Sequence, residues 1–320
     1  MSRSDHPWRV VFMGTPEFAV PSLEAMLQST EDVVAVVSQP DRAAGRGRQI
    51  TPPAVKKAAL ALGLPVLQPP TLRDPAVHAE MARAAPDLIV VAAYGKILPT
   101  TILDLPAHGC INVHASLLPR HRGAAPIQWA ILSGDRSTGI TIIQMNAAMD
   151  EGDILLQRAV PIEPADTAGT LGERLAHLGA ALLVEAVRGL KAGTIEAHPQ
   201  DPTAATLAPR IQKSMGRIDW AKPAESIERE VRAFQPWPTA YTTLGGKQIK
   251  ALHAHVAGAT PAGPLTTPGT VIASGEAGIV VAAGAGALVL TSVQLEGHRP
   301  LPAGDFVRGN TVEPGTVLGT

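Results

Sequence analysis

The sequence predicts an α/β fold on a mostly parallel sheet, followed by a smaller β-barrel domain. Three observations lead there. The chain has 320 residues, and at about 150 residues per domain that is length enough for two cores. In the first half, short apolar runs alternate with segments of helical spacing, as strands buried on both faces do. Toward the end, short β-like runs are separated by Gly-Gly, Gly-Pro, Pro-Gly and Gly-Ala turn signals.

Residues 10–13 and 33–38 read as buried strands rich in β-branched side chains. A further strand covers 86–93 around Leu88-Ile-Val-Val91, and a later one covers 139–145 around Ile140-Thr-Ile-Ile143. Between them, 21–27, 52–62 and 75–84 have helical spacing and open on proline, which the first turn of a helix tolerates. Residues 167–190 form the longest helical segment, closed by Lys191-Ala-Gly193, and the first domain is drawn as 1–193. The irregular, polar stretch 194–213 reads as a linker. The second domain, 214–320, opens with a helix at 223–234. Strands at 239–244, 247–256, 269–274, 278–283 and 287–294 then supply the barrel.

Composition excludes several classes. Apolar residues make up 45% and charged residues 17%, which is globular and far from the disordered corner. One cysteine, Cys110, rules out an intramolecular disulfide framework and a cysteine-only metal site. Histidine spacing gives no metal site, and no metal is expected. There is no apolar run of about 18 residues and no secretion-signal pattern, so the expected setting is cytoplasmic, away from membranes. The formal charge is -1, so bulk charge gives no support to nucleic-acid binding, and any such contact must use local patches. Nothing demands more than a monomer.

The densest polar information lies between Gly109 and Asp153. In Cys110-Ile-Asn112-Val-His114 the period of two puts Asn112 and His114 on one face of a strand. Polar side chains at the carboxyl end of such a strand stand where open α/β sheets take their ligands. Asp150, in Asp150-Glu-Gly-Asp153, follows the strand ending at Met145 and can bring a carboxylate to the same edge. An amide, an imidazole and a carboxylate suit acyl transfer to an amine. The first two donate N–H groups to a developing oxyanion, and the third orients the imidazole. Each residue also has a plainer reading: a turn-forming Asn, a satisfied loop His, a capping Asp. The segment Asp41-Arg-Ala-Ala-Gly-Arg-Gly-Arg48 has no hydrophobic anchor and reads as a mobile basic loop. It is either a solvated surface or a phosphate contact. The turn Gly14-Thr-Pro-Glu-Phe18 is no dinucleotide fingerprint.

With these residues in view, Asn112-Val-His114, Ser116-Leu-Leu-Pro119 and Met149-Asp-Glu-Gly-Asp153 resemble the 10-formyltetrahydrofolate-dependent formyltransferases. Four further stretches are similar to the branch that formylates methionyl-tRNA. They are Phe12-Met-Gly-Thr-Pro-Glu-Phe18; Gln39-Pro-Asp-Arg42 with Gly45-Arg-Gly47; Arg122-Gly-Ala-Ala-Pro-Ile-Gln128; and Arg217-Ile-Asp-Trp220 with Phe234-Gln-Pro-Trp-Pro238. The resemblance implies a Rossmann-like formyltransferase domain and a C-terminal, OB-like barrel that helps hold tRNA. It implies formyl transfer from 10-formyltetrahydrofolate to the α-amino group of methionyl initiator tRNA. By motif match, Asn112, His114 and Asp150 are the catalytic trio. Ser116, Leu117, Leu118 and Pro119 line the folate site, with the backbone from Val90 to Tyr94 meeting the pterin. Arg42, Arg46 and Arg48 face the tRNA acceptor stem. Ala43, Ala115 and Glu151 depart from the pattern, and Glu151 adds a charge beside the expected aspartate.

Overall fold

The structure is a computed structural model that describes residues 6–44, 49–258 and 267–319. The chain divides into two compact units. The first takes the chain through Pro126, then Ser137–Pro161 and Gly172–Pro209; the second takes Ile127–Arg136, Ile162–Leu171 and the residues from Arg210.

In the first unit the strands are β1 (Arg9–Gly14), β2 (Asp32–Val37), β3 (Arg42–Ala44), β4 (Gln49–Thr51), β5 (Val66–Leu67), β6 (Leu88–Ala92), β7 (Cys110–His114), β8 (Arg122–Gly123), β9 (Ser137–Gln144), β10 (Ile154–Pro161) and β11 (Leu207–Ala208). Seven form one sheet in the order β10-β9-β7-β6-β1-β2-β5. From β5 to β7 every pairing is parallel, while β9 runs antiparallel to β7 and β10 antiparallel to β9. The mostly parallel α/β sheet is therefore as expected, with two reversed strands at one edge. The central strand β6 is wholly buried because Leu88-Ile-Val-Val-Ala92 carries apolar side chains on both faces.

On one side of β7, Cys110 joins a core of Val11, Met13, Val37, Ile89, Val91 and Ile102. Asn112 and His114 follow on the same side. On the other side, Gly179 of the long helix Ala168–Ala192 lies against Val113 and Ile140. One face of β7 thus passes from apolar core to polar site within five residues. The stretch 194–209, read above as linker, is built into this unit. There β11 pairs with β8, and Ala125 N–H donates to the Ala208 carbonyl.

The second unit is antiparallel and β-rich. It holds β12 (Ala240–Leu244), β13 (Lys247–Val256), β14 (Val271–Gly275), β15 (Gly278–Ala282), β16 (Ala287–Leu295) and β17 (Leu301–Pro302). The order is β12-β13-β16-β15-β14, with β17 beside β16. β12 turns into β13 through Gly245 and Gly246, whose φ values of 55° and 75° are those of a primed hairpin turn. The tail closes the sheet. Val271 N–H donates to the Thr316 carbonyl at 2.7 Å, and Gly319 N–H donates to the Thr243 carbonyl at 3.0 Å. Residues 316–319 thereby join edge strand β14 to edge strand β12.

Candidate active site

The trio expected from the sequence converges. Asn112 Nδ2 lies 3.4 Å from Asp150 Oδ1, and His114 Nδ1 lies 3.6 Å from the same oxygen. The second carboxylate oxygen, Oδ2, accepts the Gly123 N–H at 2.9 Å. His114 Nε2 is 3.0 Å from the His121 carbonyl. A carbonyl only accepts, so Nε2 carries a hydrogen and Nδ1 is the nitrogen left to face Asp150 and a reacting group. Asn112 is 9% exposed and His114 5%, so their dipoles act where solvent screening is weak.

The route by which Asp150 arrives was not visible in the sequence. Because β9 is antiparallel to β7, its last residue, Gln144, stands opposite Ile111, near the start of β7 rather than its end. Residues 145–153 run back across that face to place the carboxylate over Asn112 and His114. Asp150 itself has φ 55°, a left-handed conformation uncommon outside glycine.

The segment after β7 is tied down by its own hydrogen bonds. Ser116 Oγ donates to the Arg120 carbonyl at 2.6 Å, and the Ser116 carbonyl accepts from Thr141 Oγ1 at 2.6 Å. Gln157 Nε2 donates to the Leu118 carbonyl and to Thr141 Oγ1, each at 2.9 Å. Ser116 and Leu118 are buried, while Leu117 and Pro119 are half-buried. Val90 pairs with Ile111 in the sheet, and its side chain is in the core. The Tyr94 ring is buried too, which pushes its phenol up to about 12, and its carbonyl accepts from Thr15 and Gln39.

The basic segment departs from the expected mobile loop in its described part, because β3 and β4 pair as a hairpin. Asp41 anchors it: Lys56 Nζ and Gln68 Nε2 bond its carboxylate and hold it below the usual carboxylate range. Arg42 is exposed and donates to Gln39 Oε1 at 2.8 Å. Arg46 and Arg48 lie outside the described residues.

Three functional groups escaped sequence reasoning. The Gly123 N–H and the His121 carbonyl are backbone groups, which every residue offers, so no side-chain pattern marks them. Gln200 donates to the carbonyls of Asp150 and Gly152, both at 2.8 Å, from a stretch without periodicity. Glu151, the added charge, pairs with Arg122 Nη1 at 3.0 Å. Among the described residues there is no His/Cys/Asp/Glu cluster fit for a metal, and no helix is long and apolar enough to cross a membrane.

Residues 8–187 match the formyl transferase family model, and residues 210–311 match that of the formyl transferase C-terminal domain. The methionyl-tRNA formyltransferase of Myxococcus xanthus is 50% identical over 308 residues, 96% of this chain and 97% of that protein. The enzyme of the same name from Geobacter sulfurreducens is 46% identical over 311 residues, 97% of this chain and 96% of that one. Among solved structures, WlaRD, a sugar 3N-formyl transferase crystallised in the presence of dTDP and 5-N-formyl-THF, superposes with a TM-score of 0.65 at 16% identity. That match covers 92% of this chain and 100% of the other, and it speaks for the fold. With both family models in series and relatives this similar over nearly its full length, the chain belongs to the methionyl-tRNA formyltransferase family.

Proposed function

We propose that this chain moves a formyl group from 10-formyltetrahydrofolate to the α-amino group of methionine esterified to initiator tRNA. The observation that carries the reading is the meeting of Asn112, His114 and Asp150 on one face of β7. A free-chain α-amino group has a pKa of about 7.7–8.0, so a good fraction is neutral and nucleophilic near pH 7.5. The amine nitrogen attacks the formyl carbon, forming the new C–N bond and a tetrahedral oxyanion. Asn112 Nδ2–H and a protonated His114 Nδ1 are the donors to that oxygen. Asp150 orients the imidazole and takes part in moving the amine proton toward the folate N10, whose C–N bond breaks. One proton leaves the amine and one arrives at N10, so no net acid is consumed. No serine or cysteine nucleophile enters, and Cys110 is core.

Under the same reading, Leu117, Pro119 and the backbone from Val90 to Tyr94 contact the folate. Arg42, with Arg46 and Arg48, meets acceptor-stem phosphates, and residues 214–320 supply the remaining tRNA contacts. The reaction belongs in the cytoplasm, where charged tRNA is used. The test supplies 10-formyltetrahydrofolate with methionyl initiator tRNA, with free methionine, or with no acceptor, and measures N-formylmethionine and formate. Formylation of the charged tRNA alone is expected. Equal use of free amines, or formate release without acceptor, overturns the proposal.

A further inference from the structure

The backbone at Asp150, with φ 55°, lies in the left-handed region that disfavours residues with a Cβ. Such a residue persists only where its surroundings over-determine it. The group that does so here is Gln200. Its Nε2 donates one hydrogen to the Asp150 carbonyl and the other to the Gly152 carbonyl, both at 2.8 Å. Its Oε1 accepts Arg122 Nε at 3.1 Å and Nη2 at 2.8 Å. Arg122 is 7% exposed. Its remaining nitrogen, Nη1, pairs with Glu151, so three successive residues of the loop, 150 to 152, are gripped from one side. The grip closes into a ring, because Arg122 is in β8 and its neighbour Gly123 donates the N–H held by Asp150 Oδ2. β8 is in turn fixed by β11, a few residues beyond Gln200.

A glutamine amide has two donor hydrogens and two acceptor lone pairs, and all four are used here. Gln200 has nothing left with which to hold a substrate. We infer that Gln200 is a positioning residue: by clamping the backbone of 150–152 to Arg122, it sets the Asp150 carboxylate at its reach from Asn112 and His114. The inference rests on the formyl-transfer reading for its kinetic consequence, though the geometry stands by itself.

The experiment measures steady-state formylation of methionyl initiator tRNA by wild type, Gln200→Leu, Asp150→Asn and the double variant. Gln200→Leu is expected to lower kcat by about 10–100-fold, as loss of an orienting partner does at other sites, with both KM values nearly unchanged. In the Asp150→Asn background the same change is expected to alter the rate by less than about twofold, since groups acting through one another are not additive. The His114 ring 15N resonances are expected to move in Gln200→Leu. A normal kcat in Gln200→Leu, or losses that multiply in the double variant, overturns the inference. Should Gln200→Leu not fold, Gln200→Glu replaces it: it keeps the Arg122 contact but turns a carboxylate oxygen toward the two carbonyls, and the same outcomes decide. An inactive wild type removes the formyl-transfer reading instead, and the His114 resonances then test the positioning alone.

Discussion

Gly152 is the position at which one added carbon should do most to the chemistry. Its φ lies outside the left-handed region, so alanine is conformationally acceptable there and only space forbids it. A Cβ on Gly152 falls 1.7 Å from the Gln144 carbonyl oxygen, where real Cβ atoms essentially never come within 3.0 Å. Gln144 cannot retreat, since it ends β9 and pairs with Ile111 of β7. The loop must therefore shift by more than about 1 Å, and a displacement of that size costs roughly 10²-fold in rate where geometry sets the barrier. Asp150 moves with it, because Gln200 bonds the carbonyls of both residues. Its contacts to Asn112 and His114, at 3.4 and 3.6 Å, have no slack. Overpacking also lowers stability, by about 1–3 kcal/mol. Gly152→Ala should melt as a folded protein at reduced temperature and formylate methionyl-tRNA at about one hundredth of the wild-type rate, read in single turnover. Activity within threefold of wild type would mean that the placement of Asp150 does not limit the reaction.

The remaining predictions concern single groups. Asn112→Ala should lower kcat by about 10²–10³-fold in rapid-quench formylation, as loss of an oxyanion donor does elsewhere; a near-normal rate removes that role. Lys191→Met should cost clearly more in urea unfolding, about 2–3 kcal/mol, because it takes the ammonium from the buried Glu31 carboxylate and leaves it only the Trp8 N–H and the Thr30 hydroxyl, whereas breaking the exposed Arg158–Glu185 pair should cost under about 1 kcal/mol. Equal losses would refute the distinction. Burial, with the charge of Asp104, pushes the Cys110 thiol from 9.0 up to about 12. Iodoacetamide at pH 8.5 should therefore label it only as fast as the protein unfolds. Because the folded thiol holds its proton more tightly than the unfolded one, this stabilisation is complete below pH 9.0 and is lost as pH climbs toward 12. Labelling faster than unfolding would contradict it.

What the sequence disclosed depended on whether a feature has a period. The strand run from Cys110 to His114 alternates, so Asn112 and His114 could be set on one face before any coordinates. The parallel core was legible for a related reason, since strands buried on both faces are apolar throughout. β10 is not legible because it is an edge strand whose residues from Gln157 to Ala159 are exposed and break the apolar run. The reversal of β9 also escaped, since strand direction leaves no mark in local composition. That reversal decides how Asp150 reaches His114. β8 and β11 are two residues each, too short for any alternation. The β3–β4 pair reads from sequence as a mobile loop because it has no hydrophobic anchor; what fixes it is Asp41, held by side chains distant in sequence. Gln200 binds carbonyls, and carbonyls carry no residue identity.

The way the second unit is sealed bears on how it is made. Residues 316–319 are the last of its elements to leave the ribosome, yet they are the stitch between β12 and β14. Until they emerge, the Val271 N–H of β14 and the Thr243 carbonyl of β12 lack these partners, although Ile218 N–H already donates to the Tyr241 carbonyl farther along β12; unpaired edge groups are the surfaces through which strands of different chains join. A shortened chain ending before Thr316 would leave those groups unpaired for good. Its expected fate is self-association, while the catalytic strands of the first unit remain intact.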